Sequence, residues 1–532
     1  MDHNVWRTAG VTAAILAASY WTAHGQWNRT AYGQGSGLAN IQVSHNGKVK
    51  GASREVTDFS EVILSVDPTN PAHLIGGSKF FYDSANYRFH VGTFESADGG
   101  RTWDVVQPDG VERYSLTSDP VTTFDEQGNG YFTILTRGPT GLDVLKKPAG
   151  RVDWASPVTV NRTSTTDKQW LVGDQDPQSK SPYAGNVYIS WTDVAQPSRI
   201  LVARSTDRNV VWSAPVAVTT GDVQGSVPAV APDGTLYVLF GRSIFAGATI
   251  SSTMEVVKST TGGGKFSPPV VVARITPIPS KLPNGTFRSP ASLPAFTISP
   301  KTGTLFAAWA DYRNGDSDIY LTRSADEGRT WSTAVRVNDD PPGNGIDQFQ
   351  PQLAVAPDGH VAVAWHDRRL PCPTQDWIAE SRRAAENACI DTFLARSIDD
   401  GDHWQPNLRV TTHSWDPAVH APTVSTGTQF IGDYIGLAAT NAFDYALWPS
   451  TADMGENSDH SQEIFAGIVP VDYVAPTVTP GPSPTRRPTN TPTATRTPSA
   501  TPTPSATRAA PTSTPTGAAE PPRTVYLPWS AK

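Results

Sequence analysis

Between residues 39 and 474 the chain repeats one pattern of apolar and polar positions. A short alternating run leads into a turn rich in Pro, Asp and Gly, and a second alternating run follows. The pattern is plainest in PAVAPDGTLYVLF (228–240), FTISPKTGTLFAAWADYR (296–313) and PQLAVAPDGHVAVAWHDRR (351–369). It recurs in TTFDEQGNGYFTIL (122–135) and GDQDPQSKSPYAGNVYISWTD (173–193), and at the two ends of the body in SEVILSVDPTNPAHLIGG (60–77) and FIGDYIGLAATNAFDYALW (430–448). Alternation with period two marks half-buried strands, so each unit predicts a hairpin, and there are seven units.

A second repeat completes the first. SADGGRTW (96–103) and SADEGRTW (324–331) are nearly identical, and STDRNVVW (205–212), SIDDGDHW (397–404) and STTGGGKF (259–266) are decayed copies. With Trp154 they put an aromatic residue at 103, 154, 212, 266, 331 and 404, a spacing of about four strands with their turns. Each octet lies between a strand-like run and another, so it predicts the turn joining a third strand to a fourth. Asp accepts backbone N–H groups inside the turn, Gly or Asn209 supplies the left-handed residue, and Trp packs against the neighbouring unit.

The octets at Ser96, Ser324 and Ser397 resemble the Asp-box (bacterial neuraminidase repeat) family, whose pattern is S-x-D-x-G-x-T-W. The resemblance implies a β-propeller in which Asp98, Trp103, Asp207, Trp212, Asp326, Trp331, Asp399 and Trp404 are structural and lie away from the active site. Sialidase propellers of the family have six blades, whereas seven four-stranded blades are counted here. A six-bladed ring stays open as the alternative, with Asp119–Trp154 or Ser226–Phe266 as an irregular excursion. The last unit ends at EIFAGIVPV without a fourth strand, and NIQVSHN (40–46) matches the fourth-strand spelling, so the N-terminal strand is expected to close the seventh blade.

Composition changes the picture mainly at the ends. Residues 1–25 carry Arg7, an apolar run and a small-x-small site at Ala23 and Gly25, which reads as a signal peptide, followed by a short leader over 26–38. Residues 475–522 are almost all Thr, Pro, Ser and Ala, a stalk that cannot bury a core, and 523–532 form an apolar C-terminal tag suited to cell-surface attachment. A secreted or surface-displayed monomer with no membrane span in its mature form is therefore expected. In that setting Cys372 and Cys389 predict a disulfide that stabilises their insertion by roughly 3 kcal/mol. Five Arg, one Lys and one Glu follow residue 474, so of the net −8 the body carries −13, which argues against nucleic acid as a partner. No cofactor is expected. Calcium could sit on RNGDSD (313–318) or NDDPPGNGID (338–347), but ordinary turns explain both.

Strand direction sorts the loops into two faces. The face opposite the octets gathers His366, Asp367, Arg368 and Arg369 of WHDRR, Asp311 and Arg313 of WADYR, and Asp193 of WTD, beneath the Cys-bounded insertion. Glu61, Asp119, Lys168, Gln350, Asp433 and Tyr434 begin the first strands beside the central channel. The functional reading is a polar funnel for a glycan or glycoprotein. Asp433, Tyr434 and Asp367 are the catalytic candidates, and Arg313, Arg368, Arg369, His366, Asp311 and Glu61 the substrate-binding ones. Each Asp-x-Arg could equally make a local ion pair. A sialidase of this family would need an arginine triad, a Tyr nucleophile paired with Glu, and an Asp acid/base, and would carry F/Y-R-I-P before its first box. Only FRSP (287–290) approaches that motif, ahead of the fifth unit. Sialidase-like exo-glycoside hydrolysis thus stands beside two alternatives, a non-catalytic surface module binding a glycan or protein and a purely structural scaffold.

Overall fold

The computed structural model describes residues 38–473 apart from 48, 176–179, 247–248, 289–292, 424–426 and 453–459. Residues 1–37 and 474–532, read in the sequence as signal, leader, stalk and tag, lie outside the described residues. The rest forms seven four-stranded antiparallel sheets arranged as the blades of a propeller. Six blades use consecutive strands. The seventh is built from Gly436–Ala439, Phe443–Ser450 and Glu463–Pro470, and its outer strand is the N-terminal Asn40–Gln42. Asn40, Ile41 and Gln42 pair with Gly467, Ala466 and Phe465, so the ring closes as the fourth-strand spelling anticipates. Both weak units are complete blades, which rules out the six-bladed alternative.

Alternating strands bury one side chain in two against each neighbouring blade, and the core is accordingly a ring of inter-blade clusters. Tyr131, Leu142, Ile189 and Trp191 join blades 2 and 3, and Leu239, Met254, Leu305 and Trp309 join blades 4 and 5. Among the largest fully buried side chains are Trp191, Trp309, Trp365 and Trp448, all from second strands. At an octet turn, Ser96 Oγ donates to Asp98 Oδ1 (2.9 Å) and accepts from Gly100 N (2.8 Å), and Asp98 accepts from Thr102 N (2.9 Å). The turns at Ser205, Ser324 and Ser397 repeat this geometry, and at Ser259 Thr261 Oγ1 takes the carboxylate's place as acceptor for Lys265 N. Asn209, at φ 74°, occupies the position held by glycine elsewhere.

The seven inner strands surround a channel of about 450 Å³ lined by residues such as Leu64, Thr122, Leu171, Ala229, Leu353 and Leu437, with Pro68, Pro232, Pro300 and Pro357 at the octet end. At the other end the inner strands share a defect. In blades 1, 2, 3, 4 and 6 a bulge shifts the register at their start, at Ser60/Ile63, Ser118/Val121, Asp167/Trp170, Gln224/Val227 and Phe349/Gln352. The residue inside each bulge is left-handed: Glu61 (φ 53°), Asp119 (51°), Lys168 (51°), Gly225 (70°) and Gln350 (53°). A left-handed backbone costs a residue with a Cβ of order 1 kcal/mol or more, and such strain gathers where a side chain must be re-aimed.

Candidate functional site

The bulges deliver a charged cluster to the channel mouth. Glu61 pairs with Lys79 at 2.6 Å, and both are at most 2% exposed. Lys168 donates to Asp433 and lies 3.6 Å from Asp119, while Arg288 Nη2 donates to the other Asp433 oxygen at 2.5 Å. Gly432 makes this approach possible: at φ 95° its Cβ would lie 2.5 Å from Glu61 N. Gln350 Nε2 donates to Gly432 O at 2.7 Å and holds the turn ahead of Asp433 from the next blade. Lys79 Nζ also sits 4.6 Å from the ring centres of both Phe89 and Phe430, and the Arg288 guanidinium 5.1 Å from that of Phe430.

Burial and neighbouring charge push the carboxyls of the cluster apart. Burial raises Glu61 to about 7 although Lys79 opposes it, and raises Asp167 to about 6 against Lys168. Burial also disfavours ionised Asp433, but Arg288 and Lys168 outweigh it and hold the carboxyl well below the usual range. Asp119 is lowered likewise, burial being overcome by Lys168 and Lys79. A site in which Glu61 and Asp167 take up a proton towards neutrality while Asp119 and Asp433 stay ionised has the division of labour that acid–base chemistry requires. The charged side chains of the cluster that water reaches best are cations, Arg288 at 35% and Lys168 at 17% exposed.

Of the sequence-predicted residues, Glu61, Asp433 and Tyr434 come to the mouth, with Asp119, Lys168 and Gln350. The Tyr434 hydroxyl donates to Pro120 O at 3.1 Å, and its ring meets Trp170 edge-on. A cavity of about 30 Å³ beside it is lined by Trp170, Ile278, Gln350, Asp433 and Tyr434. The Asp-x-Arg residues form clamps instead. Asp311 accepts from Trp309 Nε1 (2.8 Å) and from Arg313 Nε and Nη2 (2.9 and 2.6 Å). Asp367 does the same for Trp365 and Arg369, and Arg369 continues to Asp339 at 2.6 Å. Arg368 is wholly buried, donating to Pro283 O at 2.9 Å and lying 3.4 Å from Asp347. His366 is fully buried between Phe349 and Trp415, and burial pushes its ring down to about 3.

Three residues were missed as site candidates. Lys79 reads in sequence as an ordinary second-strand position. Tyr87 belongs to a hairpin tip, yet its phenol feels, after burial, the charges of Glu61, Arg288 and Asp433. Arg288 had a signal, since it is the Arg of FRSP. In the two Asp-rich loops, Asp318 and Asp340 accept side-chain amides from Asn314, Asn338, Asn344 and Gln348, and Asp316 accepts Gly345 N. Cys372 and Cys389 form the expected disulfide.

No protein-family model and no curated protein matches the chain. Several solved structures are similar to it. A protein of unknown function from Dyadobacter fermentans DSM 18053 is 10% identical with a TM-score of 0.43, over 81% of this chain and 97% of that one. A leech intramolecular trans-sialidase is 14% identical with a TM-score of 0.40, over 81% and 70%. An alpha-L-arabinanase of Penicillium chrysogenum is 14% identical with a TM-score of 0.40, over 58% and 92%. At such scores the likenesses decide neither substrate nor mechanism.

Proposed function

We propose that this is an exported Asp-box propeller whose channel mouth binds a carboxylate-bearing sugar, with exo-glycoside hydrolysis as the reaction the site is equipped for. The observation that carries the reading is the set of strained bulges. Left-handed Glu61, Asp119 and Lys168 are aimed from three different blades at one point, where Asp433 and Arg288 join them. Packing alone would be served by apolar residues, and buried charges in this number are expensive to assemble. The reachable cations, Arg288 and Lys168, would receive the sugar carboxylate, Glu61 would protonate the leaving oxygen as the glycosidic bond breaks, ionised Asp119 would take the proton of the water that adds to the anomeric carbon, and ionised Asp433 would hold the cations in place.

A non-catalytic binding module is the second reading. It is favoured by the small cavity at Asp433 and by the carboxylate partners that Lys79, Lys168 and Arg288 already hold. Calorimetry with N-acetylneuraminic acid and with galactose separates the outcomes, followed by hydrolysis of a fluorogenic sialoside. The acidic sugar should bind, and Arg288→Ala should weaken it about tenfold or more, the loss of one charge-assisted pair. Equal binding of both sugars, or binding that Arg288→Ala leaves unchanged, would sink the assignment. Binding without turnover selects the module.

A further inference from the structure

Arg288 does not belong to a blade. It lies on a strap that leaves the outer strand of blade 4 (Val270–Ile275), packs over blades 5 and 6 and reaches the entry to blade 7, before the chain forms the inner strand of blade 5 at Ala295–Ile298. Tyr312 N donates to Thr276 O at 2.8 Å at the start, and Ile278, Leu282 and Phe287 pack into the core cluster of blades 5 and 6. At the far end a short ladder sets the register, with Gln429 N donating to Thr286 O and Arg288 N donating to Gln429 O, both at 3.0 Å. Between these anchors the strap turns at Asn284, a left-handed residue at φ 53°.

That turn is gripped by the disulfide-bounded insertion. Arg382, in the single helical turn Glu380–Arg383, donates to Asn284 O (2.7 Å) and Ala388 O (2.9 Å), and its guanidinium forks onto Asp416 (2.9 and 2.7 Å). Asn284 Nδ2 answers by donating to Glu386 O at 2.9 Å. Glu386 and Ala388 lie just before Cys389, so the disulfide to Cys372 fixes the carbonyls that hold the turn. Four residues further along the strap, Arg288 meets Asp433.

We infer that the insertion is a positioning device for Arg288, with Arg382 and Asn284 as the positioning residues that carry its grip to the strap. The inference rests on the reading of the mouth as a ligand site only for its consequence in binding, since the placement of Arg288 can be measured without a ligand. The covalent clamp explains why a strap that crosses two blades on loop backbone can hold one guanidinium in register.

Two variants break the tie from opposite sides. Arg382→Ala removes the fork, and Asn284→Gly keeps the left-handed backbone while removing the side-chain bond. Hydrogen exchange should quicken about tenfold over 284–288 and 427–431 in both, with the inner strands of blades 1 to 3 unchanged. With the fluorogenic sialoside, KM should rise about tenfold at constant kcat, and the Arg288→Ala/Arg382→Ala double variant should be no worse than Arg288→Ala alone. Unchanged exchange in both variants, or losses that add in the double variant, would overturn the inference. Should Arg382→Ala fail to fold, Asn284→Gly decides. Should the wild type neither bind nor cleave the sialoside, the proposed function fails while the exchange measurement still decides the placement of Arg288.

Discussion

At Glu61 two effects compete over one carboxyl: burial acts against its charge, and Lys79 at 2.6 Å acts for it. Burial wins, and the group titrates near 7. A general acid works only while protonated, so kcat/KM for sialoside hydrolysis should be level below about pH 7 and fall about tenfold per unit above it, and Glu61→Gln should lower kcat by about 10² to 10⁴. A pH-rate profile between 5 and 9 checks both. His73 is a purely structural counterpart. Burial disfavours its charged ring, but hydrogen bonds to Asp67 and Glu95, each at 3.0 Å, outweigh that and raise it to about 9. Because the folded state binds this proton more tightly, the stabilisation is complete below about pH 6.5 and is lost as pH rises through 9. His73→Gln should therefore cost about 3 kcal/mol more in urea unfolding at pH 6 than at pH 10. Neither behaviour is legible in sequence, where Glu61 and His73 are single polar letters in apolar strands.

The octet turn shows, at the level of the element, why some of the site could be read and some could not. Its spelling is local chemistry: serine, carboxylate and left-handed glycine satisfy one another within eight residues, so the sequence carries the whole explanation. Ser324→Ala should leave the buried N–H of Gly328 without its acceptor and lower stability by about 1 to 2 kcal/mol, measured by urea unfolding. The W-x-D-x-R clamps are equally local, with carboxylate, indole and guanidinium separated by two residues each. As letters, however, they match a ligand-binding fork as well as a structural one. The bulges are the opposite case. A residue driven to positive φ at the start of a strand leaves no mark in composition, and only a run of polar letters at strand starts hinted at Glu61, Asp119, Lys168 and Gln350.

Ring closure is a property of the whole molecule. Beyond the ladder, Ser44 Oγ bonds Glu463, Asn46 N donates to Glu463 Oε1 at 2.9 Å, and Asn40 bridges to Val410 O and Thr412 N on the connection beside it. A chain beginning at Gly47 should leave the edge of Glu463–Pro470 unpaired, lower the thermal midpoint by several degrees and self-associate with rising concentration, as read by calorimetry and by light scattering after gel filtration. The all-β class, the repeated four-stranded unit, the closing strand and the disulfide were legible in sequence alone, because alternation, turn chemistry and cysteine pairing act over short stretches or recur often enough to be counted, whereas the choice of seven blades over six fell to the structure. The assembly of the mouth was decided only by the tertiary structure. Glu61, Lys79, Asp119, Lys168, Arg288 and Asp433 come from four blades and a strap, and their proton affinities depend on burial and on charges hundreds of residues away in the chain. Arg288 makes the difference plain: FRSP could be seen, but only the path of the strap over two blades puts its guanidinium against Asp433.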